Sequence, residues 1–379
     1  MPRRLLSSWL VVLLACACFA APLAQAQAAP PQLSYPSDAG RYGLSISAPR
    51  SLEATLDFEI RAAQFQASNW DIFAAQPPTL ATQTGASVRL IHGGKPYREP
   101  APPHRAIVRA QIDAAEAQRH GFRVRLEYRA TLSSRELVAR EQGRTFALPE
   151  RLSAADREQF LATSQLYDFQ SPDFTRFVAE HSLARRLDEG EVAYARRVFL
   201  ALKRRLHYEY HWTMDRRATQ VARTWSTDCA GMSVLFTSVM RAHAVPARVL
   251  AGRWAKSSNP GAVVGDVQYY QQHVKAEFYA DHLGWVPVDL SSAVEYDHSS
   301  AGLQYFGRDL GNFLTIHVDP LVQVDTLHFG RQTFTWLQGV HYYASGKGTL
   351  RDKTIDEQWR VNWLGATQSS LIGGNSSRL

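Results

Sequence analysis

Cysteine is scarce in this chain: three among 379 residues, at positions 16, 18 and 229. Cys16 and Cys18 lie in the apolar N-terminal stretch "LVVLLACACFAA". If that stretch is cut away, Cys229 is the one thiol left, which excludes an internal disulfide framework. No later stretch approaches the ~18 apolar residues of a membrane span. No Gly-rich phosphate loop or dinucleotide fingerprint occurs, which removes the nucleotide-handling motifs. Internal repeats and low-complexity segments are also missing.

What is there reads as a globular, exported protein. Apolar residues make up 45% and charged residues 20% of the chain, ordinary values for a packed domain. "MPRR" forms a short basic start, Leu5 to Ala21 is apolar or small apart from Ser7 and Ser8, and "AQA" ends at Ala26. Residues 1–26 are therefore expected to be a signal peptide, which points to a periplasmic or secreted location. "LLAC" ending at Cys16 is an imperfect lipoprotein box, so a lipid anchor at Cys16 stands as the alternative. Cleavage after Ala26 would remove Arg3 and Arg4 and no acid, taking the net charge from +7 to +5. The remaining positive residues are scattered, as in "RRLDEGEVAYARRVFLALKRR", which fits a solvated helix face and not a nucleic-acid footprint.

Composition shifts divide the rest. Residues 27–40, "QAAPPQLSYPSDAG", read as a linker. From 41 to 150, segments such as "ATLDFEI" and "FRVRLEYRATL" alternate apolar with polar residues, the signature of an antiparallel β-sandwich. From 151 to 320 helical patterns come first: "SAADREQFLA" opens on a Ser cap, "SPDFTRFVAEHSL" has Pro at its first position, and "EGEVAYARRVFLALKRRL" has helical spacing. Residues 321–379 read as a strand-rich extension ending in a frayed tail. The expected class is α+β.

Cys229 sits in "WSTDCAG". Met232, Leu235, Phe236, Val239 and Met240 follow at i, i+3, i+4, i+7 and i+8, so a helix starts at the cysteine, capped by Thr227 or Asp228. Free N–H groups and the helix dipole at such a start favour a thiolate and can bind a developing oxyanion. A cysteine nucleophile further needs a base and a group to orient it. Of thirteen histidines, His273 begins the strand "HVKAEFYA", and Asp289 ends the next strand, "GWVPVDLS". An antiparallel hairpin through "DHLG" would bring Asp289 back to His273. Taken singly, Cys229 also suits a buried helix cap, His273 a satisfied strand histidine, and Asp289 a strand-end turn.

Together these residues carry a family resemblance. The Asp-Cys pair at 228–229, "LFTSVMRAHAVPARVLAG" at 235–252, His273 with "VKAEFY", and "GWVPVDLS" at 284–291 resemble the transglutaminase-like superfamily core. The resemblance runs from about Ser153 to about Pro320. It implies a papain-like helix packed on an antiparallel sheet, preceded here by the N-terminal β-sandwich. It also implies Cys229 as nucleophile, His273 as base and Asp289 as orienting acid. Three positions depart from the family's habit: Thr227 stands where Gly is common, Lys275 where an aromatic is common, and Leu290 where Pro is usual.

The expected function is an exported cysteine enzyme that acts on amide or peptide bonds of a protein or peptide substrate through a thioester. Transfer to water would make it a peptidase or amidase; transfer to an amine, a cross-linking acyltransferase. A non-catalytic envelope scaffold is the reading from another class. No cofactor is expected. His207, Glu209 and His211 form H-x-E-x-H, whereas a zinc protease helix needs Glu directly after the first His, so no metal is expected either. Residues 255–272, with Gly261 and Gly265, form a candidate lid before the base.

Overall fold

The computed structural model describes residues 35–365 except 39, 92–94, 99–105, 114–119, 142–145, 147, 260, 265–266 and 327–328. The expected signal peptide, Cys16 and the expected frayed tail lie outside the described residues, as does Gly265. Tyr35–Leu379 forms one compact unit. Among the described residues no helix is long and apolar enough to cross a membrane.

The first eight strands are β1 (Tyr42–Ile46), β2 (Arg50–Arg61), β3 (Phe65–Ala75), β4 (Gln83–Ile91), β5 (Lys95–Arg98), β6 (Ala106–Asp113), β7 (Gly121–Leu132) and β8 (Arg135–Ala139). Helices α1 (Ala154–Gln159), α2 (Pro172–Glu180) and α3 (Glu191–Lys203) follow. Then come β9 (His207–Tyr208), α4 (Ala218–Thr224), β10 (Ser226–Thr227), α5 (Cys229–Ala242) and β11 (Ala247–Trp254). A short hairpin of β12 (Val263–Val264) and β13 (Val267–Gln268) precedes β14 (Gln272–Ala280), β15 (Gly284–Val288) and α6 (Leu290–Tyr296). The chain closes with β16 (Arg308–Asp309), β17 (Phe313–Val318), β18 (Val322–Thr326), β19 (Gly330–Phe334), β20 (His341–Gly348) and β21 (Thr354–Trp363).

The sandwich is built from two four-stranded sheets, β21-β2-β7-β4 and β20-β3-β6-β5. β2 shows why: Leu52, Ala54, Leu56, Phe58 and Ile60 point inward and their neighbours outward along its whole length. Each sheet takes one outer strand from the end of the chain. β21 runs antiparallel to β2 from Leu52↔Trp363 to Arg61↔Thr354, and β20 pairs with β3. The strand-rich stretch beyond residue 321 thus supplies an edge to both sheets. Trp359 on β21 is fully buried, meets Tyr128 edge-on at 5.6 Å, and donates from Nε1 to the Trp254 carbonyl at 2.9 Å.

The second layer is α+β. The antiparallel sheet β15-β14-β11-β17 packs against α5. Ala230 to Arg241 are all buried, so α5 is a central helix covered on every side and not a one-faced surface helix. Val274, Ala276 and Phe278 of β14 join the same core as Met232, Leu235 and Phe236. α4 and α6 are short helices that periodicity did not mark. On the other side of β14, Glu277 is buried between Arg135 of β8, in the small sheet β1-β8-β16, and Arg248 of β11. Such a pair of buried ion pairs fixes register more than it stabilises.

Trp359→Ala should lower unfolding free energy by about 3–5 kcal/mol, as deletion of a buried aromatic does. Chemical denaturation checks this. A loss below about 1 kcal/mol would show that β21 is not integral to the sandwich.

Candidate functional site

Cys229 is the first residue of α5 and is partly buried. Asp228 is the N-cap: one carboxylate oxygen accepts from the N–H groups of Ala230 and Gly231, both at 3.1 Å. The cap does not take the Cys229 N–H. Arg216 grips the same carboxylate, with Nη2 2.7 Å from Oδ2 and Nε 3.0 Å from Oδ1. Gly231 follows from close approach, since a Cβ there would come 1.9 Å from Thr227 Oγ1.

α5 docks on the start of β14. Ser233 Oγ donates to the Val274 carbonyl at 3.3 Å, and the Val274 backbone amide favours the Cys229 thiolate. The cysteine therefore meets the strand at the residue immediately after His273. The His273 ring is buried, stacked on Trp254 with centroids 4.6 Å apart and edge-on to Phe313 at 6.0 Å. Its Nε2 lies 2.9 Å from Asp289 Oδ2. An ionised carboxylate can only accept, so Nε2 carries the proton and Nδ1 is the free base.

Asp289 ends β15 and caps α6. Its carboxylate also accepts from the Ser292 N–H at 3.0 Å, Ser292 Oγ at 2.9 Å and Ser291 Oγ at 3.3 Å. Burial pushes this carboxyl up, but His273, its hydrogen bond, Lys275 and the Ser292 amide outweigh burial and hold it below its ordinary value. Leu290, where the family favours Pro, is the buried first residue of α6. Lys275 is not free to meet a substrate: Nζ is 2.6 Å from Asp309 Oδ2 and 4.2 Å from the Phe313 ring centroid.

The thiol departs from the sequence expectation. Burial pushes Cys229 well above its ordinary value, and the Asp228 and Asp289 carboxylates push the same way; the Val274 N–H and Arg216 oppose them. The helix start alone suggested a ready thiolate. The acid that caps the helix and the acid that orients the histidine were not weighed against it. The balance of these influences favours the thiol over the thiolate.

A cleft of ≈ 410 Å³ opens over Cys229. One wall is Tyr208, Tyr210 and Trp212; another is Gln268, Tyr269 and Tyr270, which come from the expected lid segment. The far wall belongs to the sandwich end of the chain and includes Trp336, Gln338, Tyr342 and Glu357. Tyr210 lines the cleft, but Trp225 packs on Phe177 and His181. Arg216, Trp254 and Gln338 carried no motif and were missed. His211 Nε2 bonds Glu209 at 2.7 Å on the surface.

Residues 181–290 match the family model described as the transglutaminase-like superfamily. That span contains Cys229, His273 and Asp289. No curated protein matches. Among solved structures, a candidate cysteine protease from Cytophaga hutchinsonii is similar with a TM-score of 0.51 at 12% identity, covering 86% of this chain and 94% of that one. The periplasmic domain of TgpA from Pseudomonas aeruginosa, bound to ethylmercury, aligns with a TM-score of 0.35 at 16% identity, covering 62% of this chain and 90% of that one. The first of these likenesses, at its level of identity, shows a shared fold.

Because Asp228 raises the thiol, removing its charge should lower it. Asn still caps a helix, so Asp228→Asn is expected to fold and to move the midpoint of Cys229 alkylation by iodoacetamide to lower pH. An unchanged or higher midpoint would contradict this electrostatic account.

Proposed function

From the transglutaminase-like core that residues 181–290 carry, we propose that this protein is an exported cysteine hydrolase acting on amide or peptide bonds through a thioester on Cys229. The observation that carries the reading is the His273–Asp289 contact at 2.9 Å, on a strand whose next residue, Val274, takes the Ser233 hydroxyl of the helix that Cys229 begins. Export rests on the basic, apolar and small-residue pattern of residues 1–26.

His273 Nδ1 takes the thiol proton as Sγ attacks the carbonyl carbon of the substrate. Asp289 stabilises the imidazolium and holds the ring. The Cys229 N–H, outside the cap, is available to the oxyanion. Collapse expels the amine, which takes the proton from His273 and leaves an acyl group on Sγ. Burial, together with the nearby Cys229, pushes the Tyr208 and Tyr269 phenols up, so both stay protonated donors. They can hold a water near the thioester. His273 removes a proton from that water, which adds to the carbonyl; the acid departs and the thiol is restored.

The test uses unstructured peptide substrates with the products followed by mass spectrometry. Cys229→Ala should abolish turnover. Asp289→Asn should lower kcat by about 10²–10⁴ with little change in KM, since the acid acts on the base and not on the substrate. Turnover in Asp289→Asn within about twofold of wild type would sink the triad. Isopeptide products in place of new carboxyl termini would assign the acyl group to an amine and not to water.

A further inference from the structure

His273 is held at two points. Its side chain is tied at Nε2 by Asp289. Its main chain is tied from outside the family-matched span, by Gln338. The Gln338 amide nitrogen donates to the His273 carbonyl at 2.8 Å and to the Gly252 carbonyl at 2.9 Å. Gly252 and His273 face each other across β11 and β14. One amide group, with its two N–H donors, therefore staples the two strands at the position of the histidine.

Gln338 is itself anchored. It is 7% exposed. Its backbone carbonyl accepts from Arg253 Nε at 2.8 Å. Arg253 is 0% exposed; it also donates from Nη1 to the Tyr270 carbonyl at 2.7 Å and pairs through Nη2 with Glu357 of β21. The sandwich edge, the cleft wall at Tyr270 and the start of β14 are thus parts of one buried hydrogen-bonded network. Two further contacts bear on the same point. Trp254, next to Arg253, stacks on the His273 ring, and its carbonyl accepts from Trp359 of β21.

We propose that Gln338 is a positioning residue for His273, through which the sandwich end of the chain sets the direction of the imidazole toward Cys229. This rests on the nucleophile–base reading given above. With the carbonyl fixed by Gln338 and Nε2 fixed by Asp289, the ring has its backbone and its far nitrogen both constrained, and Nδ1 keeps one direction. Without Gln338, each of the two carbonyls keeps its ladder N–H and loses its second donor, so the strand start can shift. A shift of about 1 Å in a catalytic group is enough to cost on the order of 10²-fold in rate.

The experiment follows acylation of Cys229 by p-nitrophenyl acetate, a probe too small to need the cleft walls, as a nitrophenolate burst across pH. Gln338→Met keeps the volume and removes both donors. Its burst rate should fall at least tenfold and the midpoint of its pH profile should move up, because a loosened base takes the thiol proton less well. Ile107→Ala, in the sandwich core on β6, which pairs with β3 and β5 and not with β21, lowers stability too but should keep the wild-type rate and midpoint. If Gln338→Met does not fold, Gln338→Asn, whose amide is one methylene short, carries the same comparison and the same expectation. A folded Gln338 variant with wild-type rate and midpoint overturns the proposal. An equal loss in Ile107→Ala overturns it too, since the effect would then be one of general stability. A wild-type protein with no burst fails at an earlier point: it would remove the nucleophile reading itself.

Discussion

The structure turns on the docking of a helix end against a strand start. Beyond Cys229, α5 is buried on every side, so its first turn cannot leave its donors to water. Asp228 answers that need, and Arg216 answers the need of Asp228. The helix then meets β14 at Val274 through Ser233 Oγ. Burial and the Asp228 and Asp289 carboxylates push the Cys229 thiol up. In the proposed reaction the base comes from the same strand. His273 is the residue next to the docking point, and Asp289 is fixed to it by the β14–β15 hairpin.

Much of this was legible because it is local. The helix start at Cys229, its periodic core face and the Asp cap are all written within a few residues. His273 and Asp289 are joined by a short hairpin, so alternation and one turn are enough to bring them together. The alternation of β2 and β7 likewise announced the sandwich. The missing pieces are non-local. β21 pairs with β2 across most of the chain, and nothing in "TIDEQWRVNW" names its partner. Arg216, Trp254 and Gln338 act through contacts that no spacing rule encodes. The direction of the thiol shift was missed for a related reason. The helix dipole can be read from sequence, whereas desolvation and two approaching carboxylates exist only once the chain is folded.

The sandwich and the transglutaminase-like core share more than a chain. Trp336, Gln338, Tyr342 and Glu357 form the wall of the cleft opposite Tyr208 and Tyr210. Arg253, buried without solvent contact, links that wall to the strand beside His273. The family-matched residues include Cys229, His273 and Asp289, and the flanking strands supply one wall of the cleft. A fragment limited to 181–290 would keep the three side chains and lose that wall over Cys229.

The most direct measurement is identification of the acyl intermediate. The protein is mixed with a defined library of unstructured peptide amides, quenched in acid within milliseconds to seconds, digested and sequenced by mass spectrometry. The account predicts an acyl group on the peptide containing Cys229, labile to hydroxylamine as a thioester is. Turnover of the same library with no acyl group on Cys229, or with turnover undiminished in Cys229→Ala, would contradict it.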